Sequence, residues 1–179
     1  ATGVNIAGGD QYVNVTGGTY ANISSNAVNV AGSVGDSVYV DDLTVDDSLD
    51  GDAIRYDTTT GPLNVTNSQF VDVDNGVLLN NGGNGNAEIT DTTFTNATNG
   101  INLDNAGDTF NVTAHFNTFE DGDKGVLVDD DTETYNITLT FNDFVGNTDG
   151  LDVSTCDGSD PINANYNWWG ATNGPSSQF

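Results

Sequence analysis

Only two residues of this sequence, Arg55 and Lys124, are positively charged at neutral pH, against 27 carboxylates, so the net charge is -25 over 179 residues. Most of the carboxylates have no partner and must face water and its cations. Nucleic acid and anionic membranes are therefore poor partners. Methionine is absent, and His115 and Cys156 are the only residues of their types. A lone cysteine excludes an internal disulfide and reads as a small, buried or half-buried side chain. No apolar run reaches membrane-spanning length, so no membrane insertion is expected. Glutamate is scarce too, with 24 Asp to 3 Glu (Glu88, Glu120, Glu133), a balance that turns and loops select and helices do not. The sequence opens on Ala1 with no Met and no signal-like segment, as expected of a mature or trimmed product.

Such a charge would ordinarily oppose collapse. Yet Val, Ile, Leu and Phe together make up 42 of the 179 residues, and they recur periodically, so the chain is expected to fold as a single domain over 1–179. Extreme acidity suits a protein of concentrated brine, where screening removes the self-repulsion. The rival reading is a secreted protein loaded with calcium.

What the sequence does have is a repeat. A marker position returns at Tyr20, Val45, Phe70, Phe94, Phe119, Phe144 and Trp169, in steps of 25, 25, 24, 25, 25 and 25 residues. Seven and five residues before each marker stand small or apolar residues, such as Val13 and Val15, Leu63 and Val65, or Ile137 and Leu139, with polar or small residues between them. That is the period-two signature of a strand. Seven and nine residues after it come Val77 and Leu79, Ile101 and Leu103, Val126 and Val128, and Leu151 and Val153, each pair preceded by Gly76, Gly100, Gly125 or Gly150. The first two repeats keep the pattern with one or two residues inserted, as Val28 and Val30, then Ile54 and Tyr56.

Each repeat thus holds three short strands, and the same side chain reappears because it stacks on its copy one coil away. The fold expected is all-β, a parallel β-solenoid of about seven rungs of about 25 residues, rising about 4.8 Å per rung. The rungs run approximately 10–35, 36–62, 63–86, 87–110, 111–135 and 136–160, with a partial rung at 1–9 and a last partial rung and tail at 161–179. Asn117, Asn142 and Asn167, two residues before the marker, are suited to a left-handed bend and to amide ladders, as are Thr92 and Ser68 at the same place to the turn. Phe116, Phe141 and Tyr166 form a second aromatic column, read as a core stack. Leucine-rich repeats share the length, but nine Leu cannot write their pattern. A left-handed β-helix needs a hexapeptide beat, and a sandwich would not hold one phase through seven cycles.

The rung pattern, with "NYNWWGATNGP" at 165–175, resembles the right-handed parallel β-helix family (pectate-lyase-like solenoids) of secreted and surface proteins. The resemblance spans about Val13 to Pro175 and implies a single-stranded right-handed parallel β-helix. It says little of function, because that family includes polysaccharide lyases and hydrolases, viral spikes, adhesins and non-catalytic surface repeats. Its lyases imply an Arg or Lys base with calcium, whereas the two basic residues here lie nearly three rungs apart. Its galacturonan hydrolases imply Gly-His-Gly and Arg-x-Lys segments, and neither occurs. His115, between Ala114 and Phe116, points outward from its strand. The carboxylate pairs Asp46 and Asp47, Asp121 and Asp123, and Asp129 to Asp131 are coincidences expected of so many Asp. No catalytic residue is assigned, and no cofactor is required.

Two acidic loops have spacings that wrap a hard cation: "DDSLDGD", with Asp46, Asp47, Asp50 and Asp52, and "EDGDKG", with Glu120, Asp121 and Asp123. Neither is an EF-hand loop, and "GGNGNAEIT" at 82–90 reads as a Gly-rich turn. Six sequons begin at Asn14, Asn22, Asn64, Asn96, Asn111 and Asn136. Composition alone yields roughly five, but Asn14, Asn64, Asn111 and Asn136 all fall on outward positions of the first strand, where a glycan would leave the core intact.

At the ends, "GVNI" (Gly3, Val4, Ile6) matches the third strand of a rung lacking its first two, while the last rung has its first two strands through Trp168 and Trp169, then a tail to Phe179. The halves are complementary, and end-to-end self-association into an open filament is expected. The reading in function is a non-catalytic extracellular structural subunit at a cell or virion surface, from a halophilic archaeon or its virus. The alternative is a glycan-binding adhesin or viral appendage, marked by a row of exposed aromatics, for which Tyr12, Tyr39 and Trp168 face outward.

Overall fold

The computed structural model describes residues 2–9, 12–32, 35–48, 50–57, 61–80, 85–104, 109–129, 134–153 and 161–170. Phe179, Cys156, Asp130 and Asp131 lie outside them. Among the described residues there are twenty strands, all paired in parallel. They form three sheets of seven, six and seven strands, in which each strand neighbours the third one before and after it in sequence. The chain is a parallel β-solenoid. One coil shows the design: Thr109–His115 lies in the first sheet, Thr118–Glu120 in the second and Lys124–Val128 in the third. Six such coils are flanked by Val4–Ile6, which adds a third strand at one end, and Ile162–Asn163, which adds a first strand at the other.

The register is that of the sequence repeat. Phe70, Phe94, Phe119 and Phe144 are direct neighbours across the second sheet. Their rings make a column inside the coil: Phe94, Phe119, Phe144 and Trp169 follow at 4.7, 4.8 and 4.6 Å, within 8° of parallel. The glycines before the third strands are explained by the same column. A Cβ on Gly100 would stand 2.5 Å from Phe119 Cδ1 and 2.5 Å from the Gly125 carbonyl oxygen, and one on Gly150 would lie 2.9 Å from the Trp169 ring. Phe94, Phe119, Phe144 and Trp169 thus lie over Gly76, Gly100, Gly125 and Gly150 of the coil before, which is why the two residue types recur together.

Two of the turns in each coil are corners made on a residue with positive φ. The first corner is made by Gly17, Asp42, Asn67, Asp91, Phe116, Phe141 and Tyr166, with φ between 49° and 69°. At the second stand Asn22, Asp47, Asp72, Asn96, Asp121 and Gly146, with φ between 51° and 73°. The left-handed residue at the first corner is therefore the one before Asn117, Asn142 and Asn167, not those asparagines themselves. The asparagines point inward instead and form the expected ladder. Asn117 Nδ2 donates to Asn142 Oδ1 at 3.0 Å, and Asn142 Nδ2 to Asn167 Oδ1 at 3.1 Å. Their second amide protons go to the carbonyls of Ile89, Ala114 and Leu139, so buried backbone oxygens at the corner are satisfied.

Two substitutions test the column. Phe119→Ala removes a ring packed on both faces and is expected to cost about 3–5 kcal/mol, while Gly100→Ala forces the ring and the Gly125 carbonyl apart at about 1–3 kcal/mol. Denaturant unfolding in concentrated salt measures both.

Candidate functional site

The second aromatic column is not in the core. Phe116, Phe141 and Tyr166 are 57%, 54% and 78% exposed. Alternation along the first strand puts Val112 and Ala114 inside and assigns residue 116 to the inside as well. The left-handed corner breaks that alternation, swings the ring out and gives the inward place to Asn117. The rings nevertheless stack, with 5.4 Å between centroids in both pairs and planes 14° and 10° apart, and His115 meets Phe116 edge-on at 5.3 Å.

The energetics of this corner are unfavourable as far as the chain alone is concerned. A left-handed conformation costs an ordinary side chain about 1–2 kcal/mol, and four other coils avoid that cost with Gly, Asp or Asn. Three aromatics incur it here, while the two stacks return only about 0.5–1.5 kcal/mol each. The rings thus remain exposed in a costly backbone conformation.

Beside the ladder, the outer face of the first sheet carries amides and hydroxyls. Asn111 Nδ2 donates to Asn86 Oδ1 at 2.9 Å, and Asn136 Nδ2 to Asn111 Oδ1 at 3.2 Å, with Thr113 paired to Thr138 alongside. His115 lies 4.0 Å from Glu88. Further along the same sheet face, Tyr12 and Tyr39 are exposed and 5.0 Å apart. Asn14 and Asn64 share this face, whereas Asn22 and Asn96 occupy second corners, where the Asn96 amide is bonded to Asp72. Trp168 is exposed and pairs with Asp143, while Trp169 stacks inside on Phe144. Gly3 and Val4 bond to the Asn26 and Ala27 carbonyls, and Val4 and Ile6 pack against the end of the core.

On the third sheet lies a polar cleft of about 470 Å³. It divides the first acidic loop: Asp50 and Asp52 line the cleft, while Asp46 and Asp47 are exposed beside the second corner. In the second loop Glu120 accepts from Thr95 Oγ1 at 2.9 Å, Asp121 forms a corner, and Asp123 lies 3.9 Å from Lys124. Among the described residues, no three His, Cys, Asp or Glu side chains converge as a metal cage. Asp52 is only 6% exposed. Burial pushes its carboxyl above the ordinary value, against the opposing hydrogen bond from Asn75 at 2.7 Å and the nearby Arg55. The asparagines of this cleft went unnoticed in the sequence, although Asn75 and Asn99 stack one coil apart beneath Asp52.

The family model for the periplasmic copper-binding protein (NosD) matches residues 21–174. The chain belongs to the NosD family. No curated protein and no solved structure gives a significant match. The family description names copper, which favours thiolate, thioether and imidazole donors. This chain does not fit that requirement: it has no Met, one Cys and one His, and His115 is near a single carboxylate. The NosD description is of a binding protein located outside the cytoplasm.

The Asp52 carboxyl gives a signed test. Because its folded-state value is raised, its contribution to stability is complete below the ordinary value of about 3.8 and is lost as pH rises through the raised value. With a chelator present, Asp52→Asn is expected to be more stable than the parent at pH 7 and to match it at pH 3, measured by thermal unfolding in concentrated salt.

Proposed function

We propose that this NosD-family chain is a non-catalytic solenoid that binds glycans outside the cytoplasm, as an adhesin or viral appendage does. The observation that carries this reading is the stacked, exposed and left-handed ladder of Phe116, Phe141 and Tyr166. Aromatic rings offer apolar surface to the C–H faces of sugars, and the adjoining Asn and Thr side chains offer partners for hydroxyls. No Lys or Arg borders the ladder, and the chain is strongly acidic, so neutral glycans fit better than anionic ones. The same acidity suits a halophilic archaeon or its virus, with display at the cell or virion surface. The sequons favour such a location without requiring it.

Retention on insoluble neutral polysaccharides, cellulose and chitin among them, tests the reading in molar KCl. Phe141→Ala or Tyr166→Ala is expected to weaken retention by roughly three- to tenfold, while Tyr39→Ser, far along the sheet, leaves it unchanged. Equal retention of all variants, or none by the parent protein, sinks it.

A second reading is end-to-end self-association. It is favoured by apolar residues at the two rims, Val4, Ile6, Val13 and Val15 at one and Ile162, Ala164 and Trp169 at the other, which are only half-buried. A second copy stacked there would bury them and pair the outer strand edges. Filaments or oligomers seen by electron microscopy in concentrated salt, and lost in Val4→Asp, are expected; a monodisperse monomer removes this reading.

A further inference from the structure

The cleft on the third sheet holds a chain of amides whose polarity is fixed at one end. Asp52 is a carboxylate, so Asn75 must turn Nδ2 toward it, and does so at 2.7 Å. That leaves Asn75 Oδ1 facing the next coil, where it accepts from Asn99 Nδ2 at 2.9 Å and Asn102 Nδ2 at 3.1 Å. Each of these asparagines thus turns its nitrogen toward that one oxygen. Their own Oδ1 atoms are left buried with no hydrogen-bond partner, in residues 8% and 9% exposed that line the cleft. Reversing either amide would set oxygen against oxygen, so both carbonyls are held in this orientation.

Two buried carbonyl oxygens require a donor or a cation. The cleft around them is lined by Asp50, Asp74 and Asp104 as well as Asp52, and its lone positive group among the described lining residues is Arg55. Arg55 is directed to Asp57 at 2.7 Å and lies 3.9 Å from Asp52. It is two strands from Asn102 in the third-sheet register, with Leu78 between, a separation of about 9–10 Å. Its charge still attracts Asp104, and Lys124 follows Asn99 in the register, but among the described residues neither donates to Asn99 Oδ1 or Asn102 Oδ1, which keep no hydrogen-bond partner. Neutral amide oxygens beside one or two carboxylates, completed by water, are the ligand set of a hard cation.

We propose that this cleft binds a divalent cation of the calcium class, with Asn99 Oδ1 and Asn102 Oδ1 as neutral ligands, Asp74 and Asp104 supplying charge, and Asn75 as the residue that orients both amides. Asp52 of the acidic loop enters only by fixing the orientation of Asn75, and the arrangement does not depend on the aromatic ladder.

Calorimetric titration of calcium chloride into the full chain, stripped with chelator and held in molar KCl, tests the site. One equivalent is expected to bind the parent protein. Asn102→Ala should weaken that binding by about tenfold or more, and so should Asp74→Asn, which removes a charge and keeps the shape. Circular dichroism confirms that each variant keeps its strands. Calcium binding that is equal in the parent and both variants would be diffuse counter-ion association and overturns the proposal, as does the absence of a one-equivalent event.

Discussion

Everything in this molecule rests on vertical register: each coil must present the next with the same kind of atom at the same place, about 4.8 Å away. Parallel pairing satisfies the backbone between coils, so each corner must close with the same geometry each time. The side chains then face their own copies. Where the copies are apolar, as in the run from Phe94 to Phe144, like packs on like and the interior is dry. Where they are amides, each donates to the next and the column becomes directional, as from Asn117 through Asn142 to Asn167. Charge is the one property that cannot be stacked in this way, and the carboxylates accordingly fall on corners, loops and outer faces.

That constraint also decides what the amino-acid order reveals. The inward columns, the glycines beneath the rings and the half-coil at Val4–Ile6 are readable because period two along the strand and period twenty-five along the chain are both properties of the sequence. Phe116, Phe141 and Tyr166 are not readable that way. The alternation that correctly buries Val112 and Ala114 runs on past the corner and buries the rings too, whereas a single left-handed residue reverses them. A signal did exist. The equivalent positions in the earlier coils are Gly17, Asp42, Asn67 and Asp91, the residue types that tolerate positive φ, and an aromatic in that column is out of keeping with its neighbours.

The cleft was hidden for a different reason. Its character depends on which way each amide faces, and that follows from one buried carboxylate acting through Asn75 on two asparagines of the next coil. Acidic spacing drew attention to Asp46, Asp47, Asp50 and Asp52 as one loop, but the coil sends the first two to one face and the last two to another. Sequence proximity is a poor guide in a solenoid, where a residue 25 positions away is closer than one five positions away.

The two faces also differ in how they use the same repetition. On the first sheet, three coils carry one residue type in line, which yields an extended apolar ridge flanked by amides and suits an extended ligand lying along the axis. On the third sheet the column changes from coil to coil, from Asp52 to Asn75 to Asn99 to Lys124 to Asp149, so that its charge changes along the axis. A column of that kind cannot serve a repeating ligand, because each coil would offer it different chemistry. It suits a compact one held at a single level, and that level is set by the coil in which the unpartnered carbonyls occur. A repeating fold can therefore carry both kinds of site, provided that it keeps repetition on one face and abandons it on the other.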